Sequence, residues 1–372
     1  MSGHGIVIGG GLHGLSTALH LARMGWRVTV LERRHVGRHS SGINAGGVRR
    51  LGRDLAEMGL SQVAAGMWAR ITELVGDDCG FRATGQVKVA ETDADMVKLA
   101  DRVQQVRALG WEFEELIDAE ETKRLLPGIA PHVVGALIVR DDGAADPMRT
   151  VMAFRKAAVA AGVDLREGIA VTGIARRGTQ IVVSTEDSEI AGDRVANCAG
   201  AWANDFARML GDDMPCGVKA SMMIVTERLP PFIAPTVGAT SRALSFKQTD
   251  AGTVLIGGGM QGRCDPATER SVVDFHNLAR SARTASELFP MMRGVRFVRS
   301  WSGIEARPPD EIPVIGESPA FPGVVHSFGY SGHGFQLCTA AGAAVAQLMA
   351  RGETNLPIAG LAPTRFTQKA AA

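Results

Sequence analysis

Three glycines, Gly9, Gly11 and Gly14, stand in the order G-x-G-x-x-G within "GIVIGGGLHGLSTALHLARMGWRVTVLERR", and Glu32 follows twenty-one residues after Gly11. These residue types at this spacing can hold a dinucleotide. The first glycine permits a tight turn, the second lets the backbone approach a pyrophosphate, and the third lets a helix pack on a strand. Free N–H groups at the helix start then meet the phosphate charge. Glu32 is placed to accept hydrogen bonds from a ribose 2′-hydroxyl and to repel a 2′-phosphate, which argues against NADP; Arg33 and Arg34 pull the other way.

The surrounding pattern supplies the elements that must position those groups. Ile6, Val7 and Ile8 read as a buried parallel strand. Leu15, Ala18, Leu19 and Ala22 repeat at helical spacing, and Gly25 ends the helix. Residues 28–31 read as a second strand ending at Glu32. Near the other end, Ser331-Gly332-His333-Gly334-Phe335-Gln336-Leu337 is a glycine-rich turn that feeds a helix of alanine and leucine.

Composition excludes several classes of function. The 372 residues suffice for two domains with ample core, and 45% apolar with 21% charged residues describes an ordinary globular protein. A formal net charge of +1 gives no electrostatic case for nucleic acid or an acidic membrane surface. No apolar run approaches the roughly 18 residues of a spanning helix. The chain enters a strand almost at once, without a leader-like series, and is expected to be cytoplasmic. Its five cysteines are scattered with no C-x-x-C pair, which argues against zinc or an iron–sulfur centre within this chain and fits a reducing compartment.

Helix and strand alternate along the rest. Helices are expected over 54–74, 93–109 and 269–286, and from the Asp146-Pro147 start to about 161. Strands are expected over 217–226, 253–259, 295–302 and 312–315. The segment 193–210 reads as strand, small-residue turn and helix, and the residues after Leu361 as a loose tail.

Six stretches together resemble the FAD-dependent amine and amino-acid oxidoreductases of the D-amino acid oxidase, sarcosine oxidase and glycine oxidase group. They are the N-terminal stretch, "GRHSSGINAGGVRR" (37–50), "DGAADPMR" (142–149), "RVANCAGAWA" (194–203), "WSGIEARPPDEIPVIG" (301–316) and "PGVVHSFGYSGHGFQLCTAAG" (322–342). Within the group the chain looks closest to catalytic β subunits of opine oxidases and D-hydroxyproline dehydrogenases. The resemblance implies an α/β fold (α+β overall). A Rossmann-like, glutathione reductase-like FAD-binding domain would come from residues 1–80, 142–216 and 318–372. A mainly antiparallel-sheet substrate domain would come from 81–141 and 217–317. It implies FAD, held by the first turn through Gly9, Gly11, Leu12, His13 and Gly14, and by Glu32, Arg33 and Arg34 at the second strand's end. Ser40, Ser41, Asn44, Ala45, Gly46 and Gly47 would pass near the pyrophosphate and flavin. Val171, Ala199, Gly200, Trp202 and Gly303 would lie beside the cofactor. Gly332, His333, Gly334, Phe335 and Gln336 would place a helix's positive end where negative charge develops on the reduced ring.

The expected reaction removes a hydride from the carbon next to an amine, giving an imine that water hydrolyses. An amino-acid substrate needs a carboxylate anchor, ideally a bidentate arginine. Many relatives carry it in W-x-G-L-R-P, and here Glu305 stands at that arginine's position. Arg307 lies two residues on, on the same strand face. Two readings stand side by side: Arg307 holds the carboxylate while Glu305 meets an ammonium or second basic group, or the two form an ordinary ion pair. Arg49 and Arg50 are reserve anchors, and His333 and Tyr330 are candidates to touch substrate. Partner subunits with iron–sulfur or other electron-relay centres are implied by the narrower resemblance. Two other classes compete. A nicotinamide dehydrogenase would need a second dinucleotide turn, and "LIGGGMQGRCD" (255–265) lacks a following helix. A flavin-holding, non-catalytic subunit would fit a missing substrate arginine.

Overall fold

The computed structural model describes residues 2–366. His4–Ile8, buried throughout, pairs in parallel with Arg27–Glu32 on one side and Arg194–Asn197 on the other. Asp164–Glu167 extends this sheet at one edge. Val324–Phe328 and then Val314–Glu317 extend it at the other, to six strands. All pairings are parallel except the last. Val314–Glu317 takes this antiparallel edge with Val314 and Ile315 fully buried.

Parallel strands need both faces covered. Helices Leu12–Arg23, Pro147–Ala160 and Gly334–Arg351 cover one face through a core that includes Leu15, Leu19, Phe154 and Leu337. A small antiparallel sheet of Val171–Arg177, Gln180–Thr185 and Glu189–Gly192 covers the other, packing Ile181 and Val183 on Ile6 and Ile8. Asp146 caps its helix as its sequence suggests, accepting from the Arg149 N–H at 2.8 Å.

The second sheet has eight strands, running Phe297–Arg307, Gly217–Arg228, Thr253–Gly257, Ser245–Gln248, Thr236–Ala239, Gln86–Ala90, Gly135–Val139 and Glu115–Asp118. It is antiparallel except where Thr236–Ala239 meets Gln86–Ala90. Phe246 stacks on Phe289 at 4.5 Å in its core, beneath helix Phe275–Leu288.

Three expectations need correction. The helix placed at 269–286 starts only at Phe275, because Asp274 caps it and Arg270–Val272 forms a hairpin with Arg263–Asp265. The helix at 54–74 is two pieces, Leu55–Ala69 and Ile71–Val75, separated by the non-helical backbone of Arg70. The chain after Leu361 is not loose as far as it is described: Arg365 binds Asp310 at 3.0 Å and the Ile312 carbonyl at 2.7 Å. Residues 367–372 of that expected tail lie outside the described residues.

Candidate active site

A cavity of about 840 Å³ lies between the two large sheets. Its nucleotide end is built by the first strand–helix turn. Gly9 adopts φ +104°, and a Cβ on Gly14 would overlap the Gly9 carbonyl oxygen, so only glycine fits this close turn. Helix Leu12–Arg23 starts at Gly11 with no side-chain cap, and its first N–H, from Leu12, reaches Ser41 Oγ at 3.0 Å. This helix end borders the cavity, where a pyrophosphate would find its remaining N–H donors. Glu32 reaches the same wall, its carboxylate accepting from Gly10 N at 2.7 Å and Arg34 N at 2.8 Å. The cradle therefore fits a dinucleotide with a free ribose hydroxyl.

A strap crosses this end. Glu269, at the tip of the 263–272 hairpin, binds Arg34 at 2.8 Å and Arg33 at 3.4 Å, with His39 Nε2 3.6 Å away. Trp202 donates to the Pro266 carbonyl at 3.0 Å, with the Arg33 guanidinium 4.4 Å over its ring. The loop after the second strand is tied internally: Asn44 donates to the Ser40 and Ser41 carbonyls and accepts from Gly46 N at 2.7 Å. Its open side borders the cavity.

Beside the first helix start, with Tyr330 stacked on His13 at 3.6 Å, the turn before helix Gly334–Arg351 closes through His333 N to the Tyr330 carbonyl at 2.7 Å. The helix start carries no side-chain cap and borders the cavity. Lys219 holds the turn from outside by donating to the Ser331 carbonyl at 2.9 Å.

Of the residues expected at the cofactor, all but two border this cavity. Gly14 is spent on helix–strand packing, the role its spacing gives it. Gln336 turns away: its amide exchanges hydrogen bonds with the side chain and carbonyl of Ser61, because helix Leu55–Ala69 packs behind the turn.

The four catalytic candidates separate. Glu305 borders the cavity, bonded to Ser221 and 4.0 Å from Lys219. Arg307 does not border it. It stands half-exposed, its Nε 2.6 Å from Glu311 Oε1. Both belong to one strand face, yet Arg307 is the strand's last residue and lies opposite Gly217, with Glu311 folding back to meet it. The ion pair with Glu305 is not formed. Tyr330 also borders the cavity, largely buried, stacked on His13 at 3.6 Å with its hydroxyl 2.7 Å from Ser327 Oγ. Burial pushes the His13 pKa down to about 3, keeping that ring neutral. His333 borders the cavity with one-fifth of its side chain exposed.

Of the reserve arginines, Arg49 turns in and Arg50 turns away. Arg50 is buried on Asp141, Asp142 and Gln62. Arg49 borders the cavity, and its guanidinium donates to the Leu51 carbonyl at 2.6 Å. Lys88 borders it too and has no hydrogen bond or ion pair among the described residues. Burial first, and then the neighbouring Arg49, lowers its pKa. Sequence reasoning passes over Lys88, although a lysine inside the otherwise apolar "VKVA" is a readable signal. Two adjacent cations without a carboxylate at hydrogen-bond distance make an anion-holding wall.

A model of the DAO family, described as FAD dependent oxidoreductase, matches residues 5–348. The beta chain of sarcosine oxidase from Rhodobacter capsulatus is 26% identical over 364 residues, covering 94% of this chain and 86% of its own. An opine oxidase subunit from Rhizobium meliloti is 25% identical, covering 85% of each. The crystal structure of L-proline dehydrogenase from P. horikoshii superposes with a TM-score of 0.91 at 27% identity, covering 99% of this chain and 98% of that one. No helix among the described residues is long and apolar enough to cross a membrane.

Proposed function

We propose, for a chain that belongs to the DAO family of FAD-dependent oxidoreductases, that Arg49 and Lys88 anchor the carboxylate of the substrate whose C–N bond it oxidises. That substrate is a small amino acid, an imino acid such as D-proline or D-hydroxyproline, or an N-substituted amino acid such as sarcosine or an opine. The single observation that carries the assignment is a pair of cations on the cavity wall, neither with a carboxylate within ion-pair distance among the described residues. A carboxylate held there gains two charge-assisted contacts in a largely water-excluded site.

We assign the six-stranded sheet, drawn from three separated stretches of chain, to FAD, and the eight-stranded sheet to the substrate. Hydride acceptance at N5, from the carbon bearing nitrogen, is the chemistry that bound FAD supplies. The chain's own residues hold the parts. Gly9, Gly11 and the helix start meet the pyrophosphate, Glu32 the adenosine ribose, and the helix start at Gly334 the ring's pyrimidine edge. Arg49 and Lys88 fix the substrate's acid end, leaving Glu305, braced by Ser221 and Lys219, for a second polar group.

The sarcosine oxidase and opine oxidase relatives are, by name, parts of larger assemblies. We read this chain likewise as one subunit, with electron-relay centres on partner chains, in the cytoplasm where its five free cysteines stay reduced. Those names also favour a second reading, a chain that holds flavin without catalysing; Arg49 and Lys88 give that reading no explanation.

Anaerobic titration of the purified yellow protein separates the two. We expect bleaching near about 450 nm by one of D-proline, cis-4-hydroxy-D-proline, sarcosine, glycine or octopine. Fast recovery in air identifies an oxidase, and slow recovery a dehydrogenase that passes electrons to a partner. Bleaching by dithionite alone overturns the catalytic reading.

A further inference from the structure

Helix Leu55–Ala69 is capped by Asp54 and carries Glu57 at its third position, the place from which a glutamate can reach back and close a capping box. Glu57 points elsewhere. Its carboxylate is fully buried, with Oε1 3.2 Å from Nδ1 of His333. Just before the helix, the buried Arg53 donates through Nη2 to the His333 carbonyl at 3.1 Å. Two residues four apart on one segment thus grip both the ring and the backbone of a single residue in the flavin-side turn. The ring's other nitrogen, Nε2, has no hydrogen bond among the described residues, and the exposed fifth of the side chain opens into the cavity.

A buried carboxylate is expensive unless it is put to use, and Glu57 Oε2 and Arg53 Nη1 are buried without a partner. Burial works to raise the Glu57 pKa, but the His333 hydrogen bond and the Arg53 charge outweigh it and hold Glu57 ionised. An ionised carboxylate only accepts, so Nδ1 of His333 must carry the proton. Burial, with Arg53 adding to it, pushes the His333 pKa down to about 4. Arg49 acts in the same direction, and Glu57 alone opposes it. On the turn's other sides stand Glu305 and Lys219, beside Gly332, and the stacked His13 and Tyr330. The ring is therefore neutral at physiological pH, with a lone pair on Nε2.

We propose that Glu57 is a positioning residue: it fixes His333 so that Nε2 accepts a hydrogen bond from the N–H of the substrate's amino or imino nitrogen. The inference rests on the functional reading above, since Arg49 lies close enough to His333 to act on its charge and would hold the carboxylate of the same zwitterion. The geometry then reads an amino acid at two points, the acid end by cations and the nitrogen by a neutral acceptor. No bond breaks in this contact. Its contribution is orientation of the carbon that reacts.

The test has two readouts. Nitrogen-15 NMR of the histidines in the holoenzyme, with His333 assigned by its loss in His333→Asn, should show the Nδ1–H tautomer at pH 7. Finding Nε2–H or an imidazolium overturns the proposal, whatever the protein turns out to oxidise. The second readout is the apparent Kd for the reducing amino acid against that of its nitrogen-free counterpart (tetrahydrofuran-2-carboxylate for proline, acetate for glycine), followed by flavin absorbance. Glu57→Leu should raise the amino acid's Kd at least about ten-fold and leave the nitrogen-free acid within about two-fold. Glu57→Gln, whose amide oxygen still accepts from Nδ1–H, should recover most of the loss. Equal weakening of both ligands, or equal harm from Leu and Gln, would mean that Glu57 merely fills the core. His333→Asn gives the same comparison should Glu57→Leu not fold. Failure of every amino acid to reduce the wild type refutes the functional reading instead, and the tautomer still decides the orientation of His333.

Discussion

The cavity's two ends are built in opposite ways. The core of the end we assign to the nucleotide comes from one continuous stretch, since strand, glycine turn, helix and second strand lie within residues 4–32 and only the strap and the 40–47 loop come from elsewhere. The end we assign to the substrate is assembled from residues far apart in the chain. Arg49, Lys88, Glu305 and His333 come from four segments and meet only when the two large sheets close on each other. The first end tolerates almost no change in backbone shape. The second works through side-chain charge on a scaffold that would survive its loss.

The comparison predicts effects of very different size. Gly14→Val should be the most damaging, because its side chain must displace the Gly9 carbonyl. The protein should be recovered without FAD or not at all, as absorbance of the purified chain would report. Arg49→Met should leave FAD content intact yet lower kcat/KM by about 100- to 1000-fold, the cost of removing a charge-assisted carboxylate contact. Lys88→Met, with a single flexible ammonium lost, should cost about ten-fold, mostly in KM.

Acid should strike both ends together. His13, His20, His39 and His333 are held neutral by burial, with pKa values near about 3, 4, 4 and 4. Each lies below the unfolded value of about 6.5, so the unfolded chain binds more protons between these limits. Their stabilisation is complete above about pH 6.5 and is lost as pH falls toward about 4. Thermal melts should show Tm dropping by roughly 5 °C or more between pH 7 and pH 5; an unchanged Tm would mean that these rings protonate freely in the fold. The smallest effect belongs to Arg307→Ala, which removes an exposed pair with Glu311 and should change kcat/KM by less than about two-fold.

How much of this was legible in the sequence follows the same division. The glycine turn and Glu32 are read from spacing because their contacts are local. The glycine-rich turn and the helix after it are legible as well, since Gly332-His333-Gly334 marks them locally, but the partners that hold the turn, Lys219, Arg53 and Glu57, are not. The carboxylate wall is not. Period two correctly puts Glu305 and Arg307 on one strand face, but it cannot see that the strand ends at Arg307 or that Glu311 folds back to it. Arg49 and Arg50 are indistinguishable as letters; alternation sends one into the cavity and the other onto Asp141 and Asp142. Glu57 is hidden most completely, because three residues after Asp54 its local role as a capping residue fully accounts for it, and its real partner lies 276 residues on. The helix expected over 269–286 fails for a related reason: its first residues are taken by a hairpin whose Glu269 serves the nucleotide end.

The most direct test of the carboxylate wall is rapid anaerobic reduction of the wild type and Arg49→Met, extrapolated to zero and to saturating amino acid. The account predicts an apparent Kd at least about 100-fold weaker in the variant, with FAD content unchanged. Equal Kd values in the two proteins would contradict it, and the anchor would have to be sought on another wall of the cavity.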